Sequence, residues 1–413
     1  MFETYVLERS MTIGVGGSSA EIELDKLHDM TQGVAPIGNG EYFDRIALAQ
    51  KLMRDAGIDA MLVDANSNML YFTGISWHRS ERLVAAIIPA RGEVRYLVPA
   101  FEKGTFDSML KIPGKIDLWD EHEAPWLHAI RIIRDMGIHA GTLALDETSP
   151  FLTYERLREH ADGLAIVGAA RITTVCRRKK SRTEIALLQR ANDMTLRVHQ
   201  AVARILREGI STGEVAEFID KAHRKVGARR GSTFCIVLFG GDTAFPHGVN
   251  AAKVLEGNDM VLIDTGCQLH GYCSDITRTY VFGTPSDRQR EVWEHEQQAQ
   301  RRAFEAAQIG RPAESVDAAV REYLKSVGYR DNYGLPGLPH RTGHGIGLEL
   351  HEHPYLVRGN SVALEEGMCF SIEPMLCVPG EFGIRHEDHA YMTQSGPQWF
   401  TQPAVSIDNP FDE

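Results

Sequence analysis

Cysteine is scarce in this sequence, and its spacing excludes the common cysteine-based frameworks. Six cysteines are spread over 413 residues, and no two of them form a Cys-x-x-Cys pair. Thiolate zinc sites and disulfide-rich secreted domains depend on closer and more numerous cysteines. We therefore expect reduced, mostly buried thiols, as in a cytoplasmic protein.

Long apolar runs and an excess of positive charge are also missing. No apolar stretch approaches the roughly 18 residues that a membrane helix requires, and the first residues lack the basic flank and apolar segment of a signal peptide. The formal charge of −12 argues against a nucleic-acid partner, because phosphates bind basic surfaces. The sequence thus predicts neither a membrane nor a nucleic-acid partner.

The pattern along the chain predicts two domains preceded by an arm. Residues 1–40 contain Gly and Ser with little periodicity, which predicts an N-terminal arm. Residues 41–175 alternate helical periods with short apolar runs, as in an α/β domain. A second domain is predicted over 176–413, beginning with a basic linker. Ser181 and Ser211 each have a Glu three positions later, so each predicts the start of a helix.

The second half contains a weak internal repeat. Residues 209–227 match residues 310–328, so that Gly227 recurs 101 positions later as Gly328. Each copy is a predicted helix followed by a Gly-rich stretch and a Pro-His or Gly-His motif. A duplicated α+β unit would form two pseudo-symmetric halves around a central cleft. Chance similarity between two amphipathic helices is the alternative.

Four carboxylates and one imidazole stand in distinctive motifs of the last third of the chain. Asp264 ends one strand candidate and Asp275 directly precedes another, while His344 lies in Gly-His-Gly-Ile-Gly, Glu373 in Ile-Glu-Pro and Glu387 in Arg-His-Glu-Asp. Such oxygen-rich ligands suit manganese, cobalt, ferrous iron or catalytic zinc. Two shared carboxylates would hold two cations roughly 3.5–4 Å apart. Each acid alone is more often a turn or surface residue, so the joint occurrence supports the prediction.

Three further histidines and one arginine are candidates for the chemistry around this site. His247 stands in Phe-Pro-His-Gly, and His340 and His351 flank the ligand histidine. Imidazoles titrate near neutral pH and can transfer protons or stabilise an oxyanion. A structural histidine is the alternative for each. Arg385, two residues before Glu387, is predicted to hold a carboxylate through a fork of hydrogen bonds.

Together these motifs resemble the pita-bread metallopeptidases over about residues 178–400, and Asn68-Met-Leu-Tyr-Phe-Thr-Gly74 resembles the N-terminal domain of the creatinase, prolidase and aminopeptidase P branch. The resemblance implies an α/β N-terminal domain, creatinase-like, and an α+β pita-bread catalytic domain with an internal pseudo-two-fold repeat. It also implies a dinuclear centre, usually manganese or cobalt, often in a homodimer, that hydrolyses the bond before proline.

The resemblance further implies roles for individual residues. The implied metal ligands are Asp264, Asp275, His344, Glu373 and Glu387. His247, His340 and His351 match the proton-handling and substrate-binding histidines of the branch. Glu373 is expected to take the proton of a metal-bridging hydroxide and pass it to the leaving proline nitrogen. Cys377 stands where the branch often has Tyr, so a phenol donor near the metals is missing.

The resemblance favours an Xaa-Pro dipeptidase acting on a small peptide with proline after the scissile bond. Manganese is the expected ion, and cobalt, zinc or iron are the alternatives. Aminopeptidase P activity on longer peptides stays open, because no arginine besides Arg385 stands out for binding a proline carboxylate. Methionine aminopeptidases share Gly-His-Gly-Ile-Gly but lack a long N-terminal α/β domain. A metal-dependent lyase on the same fold is another alternative. A non-enzymatic interaction module would tend to lose ligands, and here all five are present.

Overall fold

A computed structural model describes residues 11–412 and divides them into two compact units. The larger unit contains the described residues up to Val34 and from Lys179 onward, and the smaller unit is Ala35–Arg178. Residues 1–10 of the predicted arm lie outside the described residues. Within the rest of that segment, Ala20–Asp25 forms helix α1, which packs against two helices of the larger unit.

The smaller unit contains six helices and six strands. Its helices are α2 (Asn39–Asp55), α3 (Ser67–Thr73), α4 (Lys103–Met109), α5 (Pro125–Asp135), α6 (Phe151–Arg158) and α7 (Ala170–Arg177). Its strands are β1 (Ala60–Asp64), β2 (Ala85–Pro89), β3 (Arg95–Pro99), β4 (Lys115–Trp119), β5 (Gly141–Leu145) and β6 (Leu164–Gly168).

One mixed sheet organises the smaller unit, in the order β4-β3-β2-β1-β5-β6. Strand β1 pairs antiparallel with β2 and parallel with β5, and all five of its residues are buried. Helices cover both faces of such a strand, which explains why it is a continuous apolar run rather than an alternating one. The core includes Leu62, Ile87 and Ile133.

The larger unit contains the remaining elements. Its helices, besides α1, are α8 (Arg182–Ile205), α9 (Thr212–Lys225), α10 (Asp287–Ala306) and α11 (Glu314–Ser326). Its first strands are β7 (Phe234–Phe239), β8 (Met260–Gly266), β9 (Gln268–Leu269), β10 (Tyr272–Cys273), β11 (Ile276–Val281) and β12 (Gly343–Gly345). The others are β13 (Glu352–Leu356), β14 (Cys369–Ile372), β15 (Met375–Val378), β16 (Phe382–Arg385), β17 (Asp388–Thr393) and β18 (Gly396–Trp399).

Within residues 11–412, the strands of the larger unit form two antiparallel sheets and two hairpins. One sheet has the order β11-β8-β7 and the other β13-β12-β14-β17-β18, while β9 pairs with β10 and β15 with β16. Helices α8 and α9 both begin with a capping box, at Ser181 and Ser211, as the sequence predicted. None of the helices within residues 11–412 combines the length and apolar character needed to cross a bilayer.

The internal repeat reappears as matching backbone pairs in the larger unit. The amide of Gly209 donates to the carbonyl of Leu255 over 2.8 Å, and the amide of Gly310 donates to the carbonyl of Leu364 over 2.8 Å. In both places the leucine amide donates back to the residue after the glycine. These pairs precede α9 and α11, respectively, and each of these helices packs on the helix before it. Chance similarity between two isolated helices would not reproduce this pairing.

Candidate metal centre

Strand β8 and three segments directly beside strands bring the predicted acids to one cavity. Asp264 lies within β8, where its register partners are Ile236 and Thr277, rather than at the strand end that the sequence suggested. Asp275 directly precedes β11. Glu373 follows β14, and Glu387 lies between β16 and β17. All four acids line a cavity of about 760 Å³.

His344, on β12, joins these carboxylates from the side of the five-stranded sheet. Its Nε2 lies 3.4 Å from Glu373 Oε1, 3.7 Å from Glu387 Oε1 and 3.8 Å from Asp275 Oδ2. Its Nδ1 lies 3.0 Å from the carbonyl oxygen of Gly345, a contact in which the ring N–H donates. This tautomer directs the lone pair of Nε2 toward the carboxylates, as a metal ligand requires.

The cluster contains buried polar atoms without hydrogen-bond partners and carboxylates that repel one another. Asp264 Oδ1, Asp275 Oδ1, Glu387 Oε1 and His344 Nε2 are buried without a hydrogen-bond partner. Burial and then the neighbouring carboxylates raise the pKa of Asp275 and of Glu387 well above their usual range. Ligand atoms of His344, Glu373 and Glu387 all lie within 4.8 Å of one another. A divalent cation would satisfy the lone pairs and neutralise the repulsion, so the residues fit a metal centre.

Arg385 is 3% exposed and forms a hydrogen bond with a residue of this cluster. Its Nη2 donates to Asp264 Oδ2, its Nε donates to Thr277 Oγ1 over 3.0 Å, and its Nη1 donates to the Pro246 carbonyl over 3.1 Å. The hydroxyl of Thr277 in turn donates to Glu387 Oε2 over 2.9 Å. One guanidinium thus orients two of the acids, one directly and one through a hydroxyl.

The three other predicted histidines line the same cavity at different depths. His340 donates from Nδ1 to the Arg341 carbonyl over 2.7 Å and leaves Nε2 without a partner, and burial lowers its pKa to about 4. The ring of His351 lies 4.1 Å from that of His344, and burial and the charge of Arg341 lower the pKa of His351. His247 is exposed at the cavity rim.

His351 is also close enough to serve as a ligand. One possible set of metal-binding atoms consists of Asp275, His344 and His351, all within 4.8 Å of one another. His351 is therefore a candidate ligand as well as a candidate proton-handling residue.

Glu373 and Cys377 differ in their access to the cavity. The side chain of Glu373 is 14% exposed, and burial raises its pKa to about 7. Cys377 is 1% exposed and belongs to the apolar core of the larger unit, and burial raises its pKa to about 11. The thiol is therefore neutral at physiological pH and acts as a small apolar group in the core.

Sequence reasoning did not name His389, which lies beside the cluster on β17. It is completely buried, and both of its ring nitrogens lack a hydrogen-bond partner. Its ring, Asp275 and Glu387 form another set of possible ligand atoms within 4.8 Å of one another. The available signal was its position two residues after Glu387, because alternate residues of an extended chain share a face.

Comparison with known proteins agrees with this chemistry. The profile described as Metallopeptidase family M24 matches residues 186–394, and that of the Creatinase/Prolidase N-terminal domain matches residues 45–179. The putative dipeptidase YkvY of Bacillus subtilis is 33% identical over 363 residues, covering 87% of this chain and 98% of that protein. The Xaa-Pro dipeptidase of Pyrococcus furiosus is 30% identical over 361 residues, with coverage of 87% and 98%. A crystal structure of recombinant prolidase from Thermococcus sibiricus matches with a TM-score of 0.80 at 30% identity, covering 87% of this chain and 97% of that one.

Proposed function

Because this chain belongs to metallopeptidase family M24, we propose that it is an Xaa-Pro dipeptidase that works with two divalent metal ions. The observation that carries this proposal is the convergence of four carboxylates and one imidazole, with unpaired buried atoms, on one cavity. The similarity to a protein named Xaa-Pro dipeptidase supports cleavage before proline. The putative dipeptidase among the relatives supports short substrates.

The proposed metal ligands are Asp264, Asp275, His344, Glu373 and Glu387. When bound, the cations supply positive charge that acidifies water and polarises a carbonyl group. Manganese is the proposed ion and cobalt, zinc or iron the alternatives, because carboxylate-rich sets favour the harder cations.

Glu373 is the proposed proton carrier of the reaction. Its side chain is 14% exposed, against 9% for Asp264, 5% for Asp275 and 2% for Glu387, so it has the best access to a bound substrate. A carboxylate there can accept a proton from the attacking water and deliver it to the proline nitrogen. Delivery matters because an amide anion is a poor leaving group.

Each of the three histidines is proposed to make a different contact with the substrate. His351 Nδ1 lies 3.4 Å from Arg341 Nη2. Because a guanidinium can only donate hydrogen bonds, His351 Nδ1 is the acceptor in this contact. His351 then carries its proton on Nε2, where it can donate to a developing oxyanion. His340 donates from Nδ1, so its Nε2 can accept a hydrogen bond from substrate. His247, which lines the cavity at its rim, is the proposed contact to the part of the substrate beyond the scissile bond.

We also propose a homodimer and a cytoplasmic location. The resemblance to the prolidase branch supports the homodimer. The cytoplasmic location is supported by the six cysteines, all of which are free thiols.

The test is substrate cleavage by protein that has been stripped of metal and reloaded with manganese, cobalt or zinc. We expect hydrolysis of the Ala-Pro dipeptide, weaker hydrolysis of Ala-Pro-Ala and no hydrolysis of Met-Ala. Cleavage of Met-Ala with both proline peptides untouched would instead establish a methionine aminopeptidase. Metal-loaded protein that cleaves none of the three would point to a lyase or another non-peptidase.

A further inference from the structure

Among the described residues, two arginines line the cavity, and they differ in whether they pair with a carboxylate. Arg385 is buried, and its donors are directed to Asp264, Thr277 and the Pro246 carbonyl. Arg341 is half-buried, and within residues 11–412 it forms no ion pair with a carboxylate. A guanidinium on a cavity wall without an anionic partner is a candidate for binding an anionic group of a ligand.

The side chain of Arg341 is held in place by aromatic neighbours rather than by an acid. Its guanidinium carbon lies 4.6 Å from the ring centroid of Tyr355, a cation–π contact. Tyr355 is in turn the register partner of His344 across β12 and β13. The Nη2 atom of Arg341 lies 3.4 Å from His351 Nδ1. These contacts fix the guanidinium beside the metal centre while leaving other N–H groups available.

A series of side-chain contacts connects Arg341 to the metal centre. Arg341 contacts His351, the His351 ring lies 4.1 Å from that of His344, and His344 Nε2 lies 3.4 Å from Glu373 Oε1. In an Xaa-Pro dipeptide, the terminal carboxylate is separated from the scissile bond by a single residue, roughly 3.3–3.6 Å of chain. In a longer peptide a neutral amide occupies that place.

We propose that Arg341 binds the C-terminal carboxylate of the substrate and thereby selects dipeptides over longer Xaa-Pro peptides, an inference that rests on the proposed Xaa-Pro hydrolysis. The planar fork of the guanidinium matches a carboxylate with two parallel hydrogen bonds. A peptide amide offers one oxygen and no charge, so it leaves the arginine poorly paired. Phe234, Ile236 and Leu350 line the same cavity and provide an apolar surface for the proline ring.

The experiment compares Ala-Pro with Ala-Pro-amide, which differ only in the terminal charge, for wild type and Arg341→Met. Methionine keeps much of the apolar stem and removes the guanidinium. We expect wild type to prefer the acid, and the acid-to-amide ratio of kcat/KM to fall about 10- to 100-fold in Arg341→Met, mostly through KM, since a charged hydrogen bond is lost. Arg341→Lys, with the charge but not the fork, should lie between the two.

Two controls separate the outcomes. Arg301→Met removes an exposed arginine of α10 and should leave the ratio unchanged. Calorimetric binding of L-proline and L-prolinamide to the metal-loaded proteins gives a readout without turnover, and only L-proline should bind more weakly to Arg341→Met. Wild type that cleaves neither substrate would refute the proposed function. Wild type that prefers the acid, with the same preference in a folded Arg341→Met, would overturn the role of Arg341 alone. An equal loss on both substrates would also overturn it.

Discussion

Glu387 and Asp388 are neighbours in the chain, and both are buried, but their surroundings are opposite. Asp388 accepts hydrogen bonds from Arg278 over 2.7 Å, from Thr401 over 2.7 Å and from Gln300 over 3.1 Å. Glu387 keeps Oε1 without a partner, and burial together with nearby carboxylates raises its pKa. A satisfied buried charge supports the fold, whereas an unsatisfied one among like charges is a candidate for binding a cation.

The extended backbone explains how adjacent residues can serve such different purposes. Successive side chains of a strand point to opposite faces, so Glu387 enters the cavity while Asp388 points toward α10, where Gln300 lies. Substitutions one position apart should therefore produce different losses: function at Glu387, stability at Asp388.

The largest effect is expected from Glu387→Gln. This nearly isosteric change removes a ligand charge, so metal binding should weaken. Turnover should fall by more than the roughly 10- to 100-fold loss that follows when a residue that only orients a metal ligand is removed. The metal-free variant should unfold at a higher temperature than metal-free wild type, because one of several repelling carboxylates is gone. Elemental analysis, turnover and thermal unfolding check this. Full activity with metal retained would remove Glu387 from the site.

The two neighbouring histidines, His344 and His351, provide the next test. His344→Ala should lose metal, whereas His351→Ala should keep it and lose about 10²–10⁴ in turnover, the usual contribution of a positioned proton donor. Metal content measured on both variants after identical loading distinguishes them. If His351→Ala also loses metal, His351 is a ligand, as its proximity to Asp275 allows.

Asp388→Asn should affect the fold rather than the chemistry. It leaves Arg278, which is fully buried, without its ionic partner, and breaking such a pair costs about 3–5 kcal/mol of unfolding free energy. Urea unfolding of metal-loaded protein measures the loss, and metal stoichiometry in the folded fraction should stay that of wild type. A variant as stable as wild type would show that the pair contributes little.

The smallest effect is the pH dependence of the metal-free protein. Burial raises the pKa of Glu373 to about 7, above its unfolded value, so the folded state binds the proton more tightly. That contribution to stability is complete below the unfolded pKa and is lost as pH rises through about 7. The melting temperature of metal-free wild type should fall between pH 5 and 8, and Glu373→Gln should flatten the decline. A rising melting temperature in wild type would contradict the assignment.

The sequence predicted the family and the fold class because the motifs combine rare residue types in a fixed order. The resemblance to pita-bread metallopeptidases is confirmed by the M24 match over residues 186–394, and the two-part fold by the additional N-terminal match and the prolidase structure. The assignment of roles to individual residues, and the boundaries of the arm and the two domains, stay predictions.

Other features could not be predicted because they depend on neighbours distant in sequence. The pair Arg278–Asp388 spans 110 positions, and no motif marks it as structural. Arg341 stands beside a predicted catalytic histidine, yet its availability follows only from Tyr355 holding the guanidinium in place of an acid. Sequence reasoning therefore considered only Arg385 for a substrate carboxylate, and the structure shows that Arg385 already contacts Asp264.

The central claim is that the cluster around His344 holds two divalent cations and needs them for cleavage before proline. Calorimetric titration of manganese into chelator-treated protein, with Ala-Pro hydrolysis measured at each addition, tests it most directly. We predict two ions per chain and hydrolysis that appears only as they bind. Unchanged hydrolysis by protein that elemental analysis finds free of divalent metal would contradict the account.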